Sequence, residues 1–200
     1  MNAESLLIAG THITLRDWRT EDVSIVRAWL EPRHRWHELD APYFPRPTAE
    51  ERDAFCAALA EQIESGRWET PRRRVVIAER ISGQLIGTVS WYWESRETNW
   101  RRMGIVIYDP AYWGRGIGME AFTLWTDYLF RSTDVVRLDF ATWSGNIGMM
   151  RVGEKLGFIL EGRFRNARIV RGAYFDSIVM GILREEWHER SSAPSGASAM

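Results

Sequence analysis

One segment limits what this chain can become more than any other: Ile105-Val106-Ile107-Tyr108-Asp109-Pro110-Ala111-Tyr112-Trp113-Gly114-Arg115-Gly116-Ile117-Gly118. A β-branched run meets a proline turn, then glycine at every second position. Ile117, Ala121, Leu124, Trp125, Tyr128 and Leu129 follow at helical spacing. Glycines let the backbone turn its N–H groups inward and approach an anion closely. The first turn of the helix adds unpaired donors and the positive end of its dipole. Together these describe a phosphate or pyrophosphate site; a tight turn without ligand is the plainer reading of the same glycines. A Walker loop needs lysine and then serine or threonine after the last glycine, where Met119-Glu120 stand. A dinucleotide fingerprint needs glycine in place of Met119, and it normally opens its domain, whereas three strands precede this loop. Asp139, about 20 residues on, is the one feature in its favour.

The rest of the chain divides around this loop. Residues 12–17 alternate as a strand, and Thr20 is expected to cap a helix that carries Glu21 and Asp22 in its first turn and closes at Pro32. A proline-rich stretch, 42–47, leads to Thr48 and Glu51, a capping box for a second helix that Gly66 ends. Strands are expected over 74–79, 85–93, 103–108 and 135–141, then a helix capped by Asn146 and stopped by Gly157, then strands over 158–164 and 175–183. Seven strands with single crossover helices imply an α+β (mixed α/β) fold with helices on both faces of a sheet. One domain is expected over residues 1–190, with a small-residue, disordered tail over 191–200.

Composition excludes several function classes. A net charge of −1 gives no electrostatic case for nucleic acid as partner, and the runs Arg72-Arg73-Arg74 and Arg101-Arg102 read as solvated charge beside strands. No apolar run approaches the ~20 residues that cross a bilayer, and Met1-Asn2-Ala3-Glu4-Ser5 lacks a signal peptide's basic end, so a cytoplasmic protein is expected. Cys56 is the only cysteine, which leaves no disulfide framework and no cysteine-built metal site. His34 and His37 with Glu38 superficially resemble a metal triad, but adjacent side chains rarely converge on one ion, and no metal is expected.

Trp113-Gly114-Arg115-Gly116-Ile117-Gly118 resembles the Gln/Arg-x-x-Gly-x-Gly/Ala signature of the GNAT superfamily of acyl-CoA-dependent N-acetyltransferases, with Trp113 in place of Gln or Arg. Glu120-Ala121 after the loop is similar to the branch that contains ribosomal-protein N-terminal acetyltransferases. A second segment, Asn146 through Gly162, is similar to the family's Asn-x-x-Ser-x-Arg-x-x-Glu-Lys-x-Gly-Phe-x-x-Glu-Gly, with Met149 where serine is usual. Tyr174-Phe175-Asp176 and Glu185-Glu186-Trp187 also look like that branch. The resemblance runs from about residue 12 to 190. It implies the GNAT fold, a central, mostly antiparallel, splayed sheet of about seven strands.

The resemblance also implies a chemistry. Acetyl-CoA is the cosubstrate, and an amine attacks its thioester directly in a ternary complex. Val106, Ile107 and Tyr108 are expected along the pantetheine, a backbone N–H near Val106 at the oxyanion, residues Trp113, Gly114, Arg115, Gly116, Ile117 and Gly118 at the pyrophosphate, and Asn146 at the CoA arm. Lys155 reads as a solvated helix residue. Many relatives carry a tyrosine just before the Glu-Lys pair as the acid for the leaving thiolate; here Gly153 stands there. Glu94, Glu38 and Asp40 are the candidate bases. An α-amine with pKa near ~8 is roughly 10% neutral at pH 7 against well under ~0.1% for a lysine amine, so sparse acid–base equipment suits an α-amine. Trp91 and Trp93 share a strand face, as core or as an aromatic acceptor groove. The expected partners are acetyl-CoA and an amine acceptor, a small molecule or a protein N-terminus, with the chain a monomer or homodimer. The rival reading is a non-catalytic acyl-CoA-binding or regulatory module on the same fold.

Overall fold

A computed structural model describes residues 5–192. Its strands are β1 (Leu7–Ala9), β2 (Ile13–Arg16), β3 (Arg74–Glu79), β4 (Leu85–Ser95), β5 (Trp100–Ile107), β6 (Arg137–Trp143), β7 (Ile159–Val170) and β8 (Ala173–Leu183). Its helices are α1 (Thr20–Trp29), α2 (Ala49–Ser65), α3 (Ile117–Ser132), α4 (Ile147–Leu156) and α5 (Arg184–Ser192). The strands form one open sheet in the order β1-β2-β3-β4-β5-β6-β8-β7. All neighbours run antiparallel except β5 and β6, which are parallel.

The mixed α/β class and the mostly antiparallel, splayed sheet are as the sequence implies, with eight strands instead of seven. The additional strand, β1, has three residues paired to β2, too short for an alternating pattern to show. The helix α5 is also additional. It is polar apart from Trp187, which is buried and donates its indole N–H to Asp127 at 2.7 Å. This helix takes in Ser191 and Ser192, the first two residues of the expected tail; residues 193–200 lie outside the described residues. Thr20 is not a cap but the first helical residue. Arg19 holds the extended cap position and donates its backbone N–H to Asp22 at 2.8 Å, and two bonds from Arg16 fix that carboxylate. The Thr48–Glu51 capping box forms as its spacing predicts, and Gly66 and Gly157 end α2 and α4 in the left-handed region.

The sheet separates two apolar clusters. On one face α3 lays Ala121, Phe122, Trp125 and Leu129, none of them exposed, against Ile77, Val89, Leu138 and Phe140. On the other, α1 and α2 cover Val76, Ala78 and Tyr108 together with Trp18 and Trp36. Trp91 is buried in the core and Trp93 packs against it: they meet edge to face at 5.2 Å and flank the Arg101 guanidinium at 4.7 and 4.4 Å, and Trp91 also lines a second cavity beside Trp18 and Trp68.

Gly153 sits in α4 where the helix crosses β6. A Cβ there would lie 2.6 Å from Phe140 Cζ and 3.0 Å from Met180 Sδ, inside contact distance of a well-packed core. The absent tyrosine thus has a packing cause. Gly153→Ala should destabilise the protein by ~1–3 kcal/mol despite alanine's better helix propensity. Phe140→Leu in the same chain should restore part of that loss, a coupling that urea unfolding of the four-member mutant cycle measures.

Candidate active site

The strands β5 and β6 pair only over Arg101–Leu138, Arg102–Asp139 and Met103–Phe140, and then part. Gly104 to Ile107 on one side and Ala141 to Trp143 on the other diverge, each still held by its outer neighbour, β4 or β8. A cavity of about 600 Å³ fills the wedge, with α4, the glycine loop and the Leu39–Tyr43 segment completing its wall.

Register decides which backbone groups face it. Tyr108 donates its N–H to Ile86 across β4, so by strand alternation Val106 and Gly104 also spend their backbone groups on β4. The amides of Ile105 and Ile107 point into the wedge instead. The Ile107 carbonyl accepts the Trp113 indole N–H at 3.0 Å, so Trp113, in the place of the usual Gln or Arg, ties the loop to the end of β5. Beyond that anchor, Gly114 and Gly116 adopt φ of 70° and 82°, which glycine alone enters without strain. The amides of Gly114, Arg115 and Gly116 make no hydrogen bond within the described residues, and those of the first turn of α3 lack intrahelical partners by construction. Arg151 and Lys155 of α4 line the same cavity. Converging amides, a helix N-terminus and two cations form a site for a polyanion, and an unpaired strand edge beside it suits an extended, amide-bearing chain.

On the β6 side of the wedge, the Leu39 carbonyl accepts two bonds, from the Trp143 indole at 3.0 Å and from Asn146 Nδ2 at 3.3 Å. Asn146 also caps α4 by accepting the Met149 N–H at 3.1 Å. These bonds hold the next residue, Asp40, on the cavity wall. Asp40 keeps accessible surface there, yet the protein packed around it raises its carboxyl pKa, with the charges of Arg46 and Arg74 opposing the rise.

Of the sequence-derived site residues, the cavity brings together Val106, Ile107, Trp113, Gly114, Gly116, Gly118, Asn146 and Asp40. Tyr108 instead turns its side chain into the core, bonded to Thr88 at 3.2 Å, because alternation sends it to the α1–α2 face. Ile117 is buried under α3, and the Arg115 side chain is exposed, bonded to the Ala111 carbonyl at 3.4 Å. Glu94 lies at the far end of β4, 2.9 Å from Arg102, which also binds the fully buried Asp139. Glu38 is exposed and pairs with Arg171 at 3.4 Å. Neither glutamate lines the cavity. His37 is buried, stacked on Trp36 at 3.6 Å, with Nε2 3.1 Å from the Glu31 carbonyl; burial lowers its pKa. Among the described residues no three His, Cys, Asp or Glu side chains come together as metal ligands, and no helix is long and apolar enough to cross a membrane. Sequence reasoning missed Arg151, Lys155, Tyr43 and Trp143. Only the stripe Gly148, Met149, Arg151, Val152, Lys155 on one side of α4 carried a readable signal, its helical spacing.

Residues 12–159 match the family model of the acetyltransferase (GNAT) domain. The chain belongs to the GNAT acetyltransferase family. A prophage-derived N-acetyltransferase of Bacillus subtilis is 26% identical over 178 residues, 89% of this chain and 93% of the relative. The spermidine N-acetyltransferase of Vibrio cholerae, solved with CoA and spermine, superposes with a TM-score of 0.71 at 18% identity, over 90% of this chain and 99% of that one. The ribosomal-protein-S5-alanine acetyltransferase of Vibrio fischeri gives a TM-score of 0.69 at 22% identity, over 91% and 98%. These two solved structures share the fold. As a GNAT protein with relatives named N-acetyltransferases, this chain is an enzyme of that class, which sets aside a non-catalytic module.

The raised carboxyl pKa of Asp40 carries a stability sign. The folded state disfavours the charged carboxylate, so Asp40 costs stability at neutral pH. Asp40→Asn should therefore raise the melting temperature at pH 7. The advantage should shrink as pH falls through the raised folded value, and vanish below about 3.9, where the carboxyl is protonated in both states. Melting curves of both proteins across pH 3 to 7 measure it.

Proposed function

We propose that this enzyme transfers the acetyl group of acetyl-CoA to a primary amine by direct attack in a ternary complex in the cytoplasm. The observation that carries the proposal is the continuous wedge between β5 and β6, lined by the amides of the glycine loop and the Arg151 and Lys155 cations for a polyanion and, among the described residues, by a single carboxylate, Asp40. The amides from Gly114 to Met119, with Arg151 and Lys155, hold the phosphates of the cosubstrate. Backbone groups of Ile105 and Ile107 extend the sheet toward its pantetheine arm. Bound acetyl-CoA supplies the activated thioester carbonyl. Ile105 and Ile107 present fixed N–H donors where negative charge develops on that carbonyl oxygen.

Asp40 takes the base role because it is the candidate carboxylate on the cavity wall, and its raised pKa brings it closer to that of an amine. Asn146 acts as a positioning residue: both ends of its amide are used, one on α4 and one on Leu39. Gly153 supplies no acid at the family's usual position, which suits an acceptor whose amine already loses its proton readily.

Gly116→Val tests the polyanion site. A β-branched residue is strained at φ of 82°, so the loop should re-form with its amides turned away. Calorimetry should show CoA affinity reduced on the order of 100-fold or more, about two lost charge-assisted hydrogen bonds, in a protein that still folds. Wild-type affinity in that variant rejects the site. Turnover tests the base. Asp40→Asn should cut kcat/KM by about 10²-fold, the low end of general-base contributions, while Glu94→Gln stays within about threefold of wild type. CoA release that fails to rise with any amine rejects acetyl transfer itself.

A further inference from the structure

A second cavity adjoins the wedge. It holds about 390 Å³, within the size range of small-molecule sites, and is bounded by α2, the approach to β3 and the middle of β4. We propose that it is the subsite for an aromatic group of the acceptor, carried about one residue's length from the reacting amine. This rests on the acetyl-transfer reading of the wedge and adds the substrate class.

The two cavities meet at one pair of residues. Gly104 of β5 lines the wedge, and its cross-strand partner on β4, Ser90, lines the second cavity. A Cβ on Gly104 would lie 3.2 Å from Ser90 Oγ, so one small side chain and a glycine stand where the openings approach each other. Neighbouring strands are about 4.8 Å apart, and an extended residue spans about 3.5 Å. Gly104 precedes Ile105, whose amide faces the reacting carbonyl. An amine attacking there has the second cavity within reach of the group one residue further along its own chain.

The lining fits a ring. Phe55, Ala58, Leu59 and Gln62 form one wall, a single stripe of α2 at helical spacing. Trp18, Trp68 and Trp91 add indole surface. Guanidiniums stand over three of these rings: Arg72 over Trp68 at 5.9 Å, Arg73 over Trp91 at 5.7 Å and Arg74 over Phe55 at 5.3 Å. All three arginines line the cavity themselves. Ring edges and faces pack against an incoming ring in preferred geometries, and a guanidinium attracts an aromatic face but not an aliphatic group of similar size. The wall is also fixed in advance. Arg72 pairs with the buried Asp17 at 2.8 Å, and its carbonyl accepts the Trp91 indole N–H at 2.7 Å. A ligand therefore loses little affinity to ordering these side chains.

The test compares the dipeptides Gly-Phe, Gly-Leu and Gly-Ala, which share one amine and one charge state and differ in the second side chain. Two readouts run in parallel, CoA thiol release with saturating acetyl-CoA and calorimetric titration of the CoA-loaded protein. Gly-Phe should exceed Gly-Ala by on the order of tenfold in kcat/KM and in affinity, with Gly-Leu between them. The tetrapeptide Gly-Phe-Ala-Ala against Gly-Phe separates a chain N-terminus from a small amine as the source of the same chemistry. Ala58 and Gln62 are exposed α2 positions that line the second cavity and not the wedge. Ala58→Phe should fill the cavity and bring Gly-Phe down to within about threefold of Gly-Ala, with Gly-Ala and CoA affinity unchanged. Gln62→Trp should do the same by a second route if the first variant fails to fold. Equal values for the three dipeptides in the wild type overturn the subsite and leave acetyl transfer standing, and Gly-Leu at or above Gly-Phe overturns its aromatic character. A Gly-Phe preference that survives in both filled variants places the ring elsewhere and overturns the proposal, as does no binding by any acceptor. Binding in the expected order, weakened by Ala58→Phe but with no CoA release, overturns the acetyl-transfer reading and leaves the aromatic subsite standing.

Discussion

The parting of β5 and β6 after Met103 and Phe140 is the constraint on which the site depends. Two parallel neighbours that stay paired use their facing backbone groups on each other. Here the pairing stops, and the amides of Ile105 and Ile107 are left facing an open wedge. The separation costs hydrogen bonds that must be recovered from a ligand or water. It persists because each strand is clamped on its outer side, β5 to β4 through Ile107 and β6 to β8 through Ser177. The core under the wedge reinforces the clamp: Phe140 stands edge to face with Phe122 at 5.5 Å and with Phe158 at 5.4 Å. Gly153 lets α4 close onto that ring.

Three polar bonds then convert the opening into a defined site, and two of them share one acceptor. Trp143 and Asn146 both donate to the Leu39 carbonyl, so the end of β6, the cap of α4 and the segment before α2 are fixed to one atom. Trp113 does the same for the glycine loop through the Ile107 carbonyl. Indole donors suit this purpose, since each buries a large rigid face and spends its single N–H on orientation. Of the chain's eleven tryptophans, Trp113 and Trp143 therefore lie at junctions of elements rather than only in the core.

The glycine loop, the Thr48–Glu51 cap and the Asn146–Gly157 helix were legible because their causes are local: a φ sign, a cap spacing, a helix stop. Class and element order followed from period changes along the chain. Features set by the third dimension were not legible. Tyr108 follows two cavity residues in sequence, yet its side chain is buried in the α1–α2 core among Trp36 and Trp29. Glu94 and Asp40 carry the same charge and looked equivalent, but one ends β4 beside Arg102 and the other lines the wedge. Lys155 reads as an ordinary solvated lysine until α4 is rotated against the opening, which brings it and Arg151 to the cavity. The missing tyrosine at Gly153 was visible as an absence; the ring that excludes it, Phe140, was not.

Arg46 and Arg74 bear on the proton inventory through Asp40. An amine must lose its proton before it attacks, and a site supplies that either with a base or by destabilising the ammonium. Burial pushes Asp40 toward accepting a proton, while Arg46 and Arg74 pull it back. On the acetyl-transfer reading, a base weakened at Asp40 leaves more to the intrinsic acidity of the acceptor amine. An α-amine starts only about one unit above neutrality, so a modest push suffices, whereas a lysine-like amine starts more than three units above. A single carboxylate on the cavity wall and the lack of a tyrosine at Gly153 are therefore mutually consistent. They suit an enzyme that relies on the intrinsic acidity of its substrate more than on a dedicated catalytic pair.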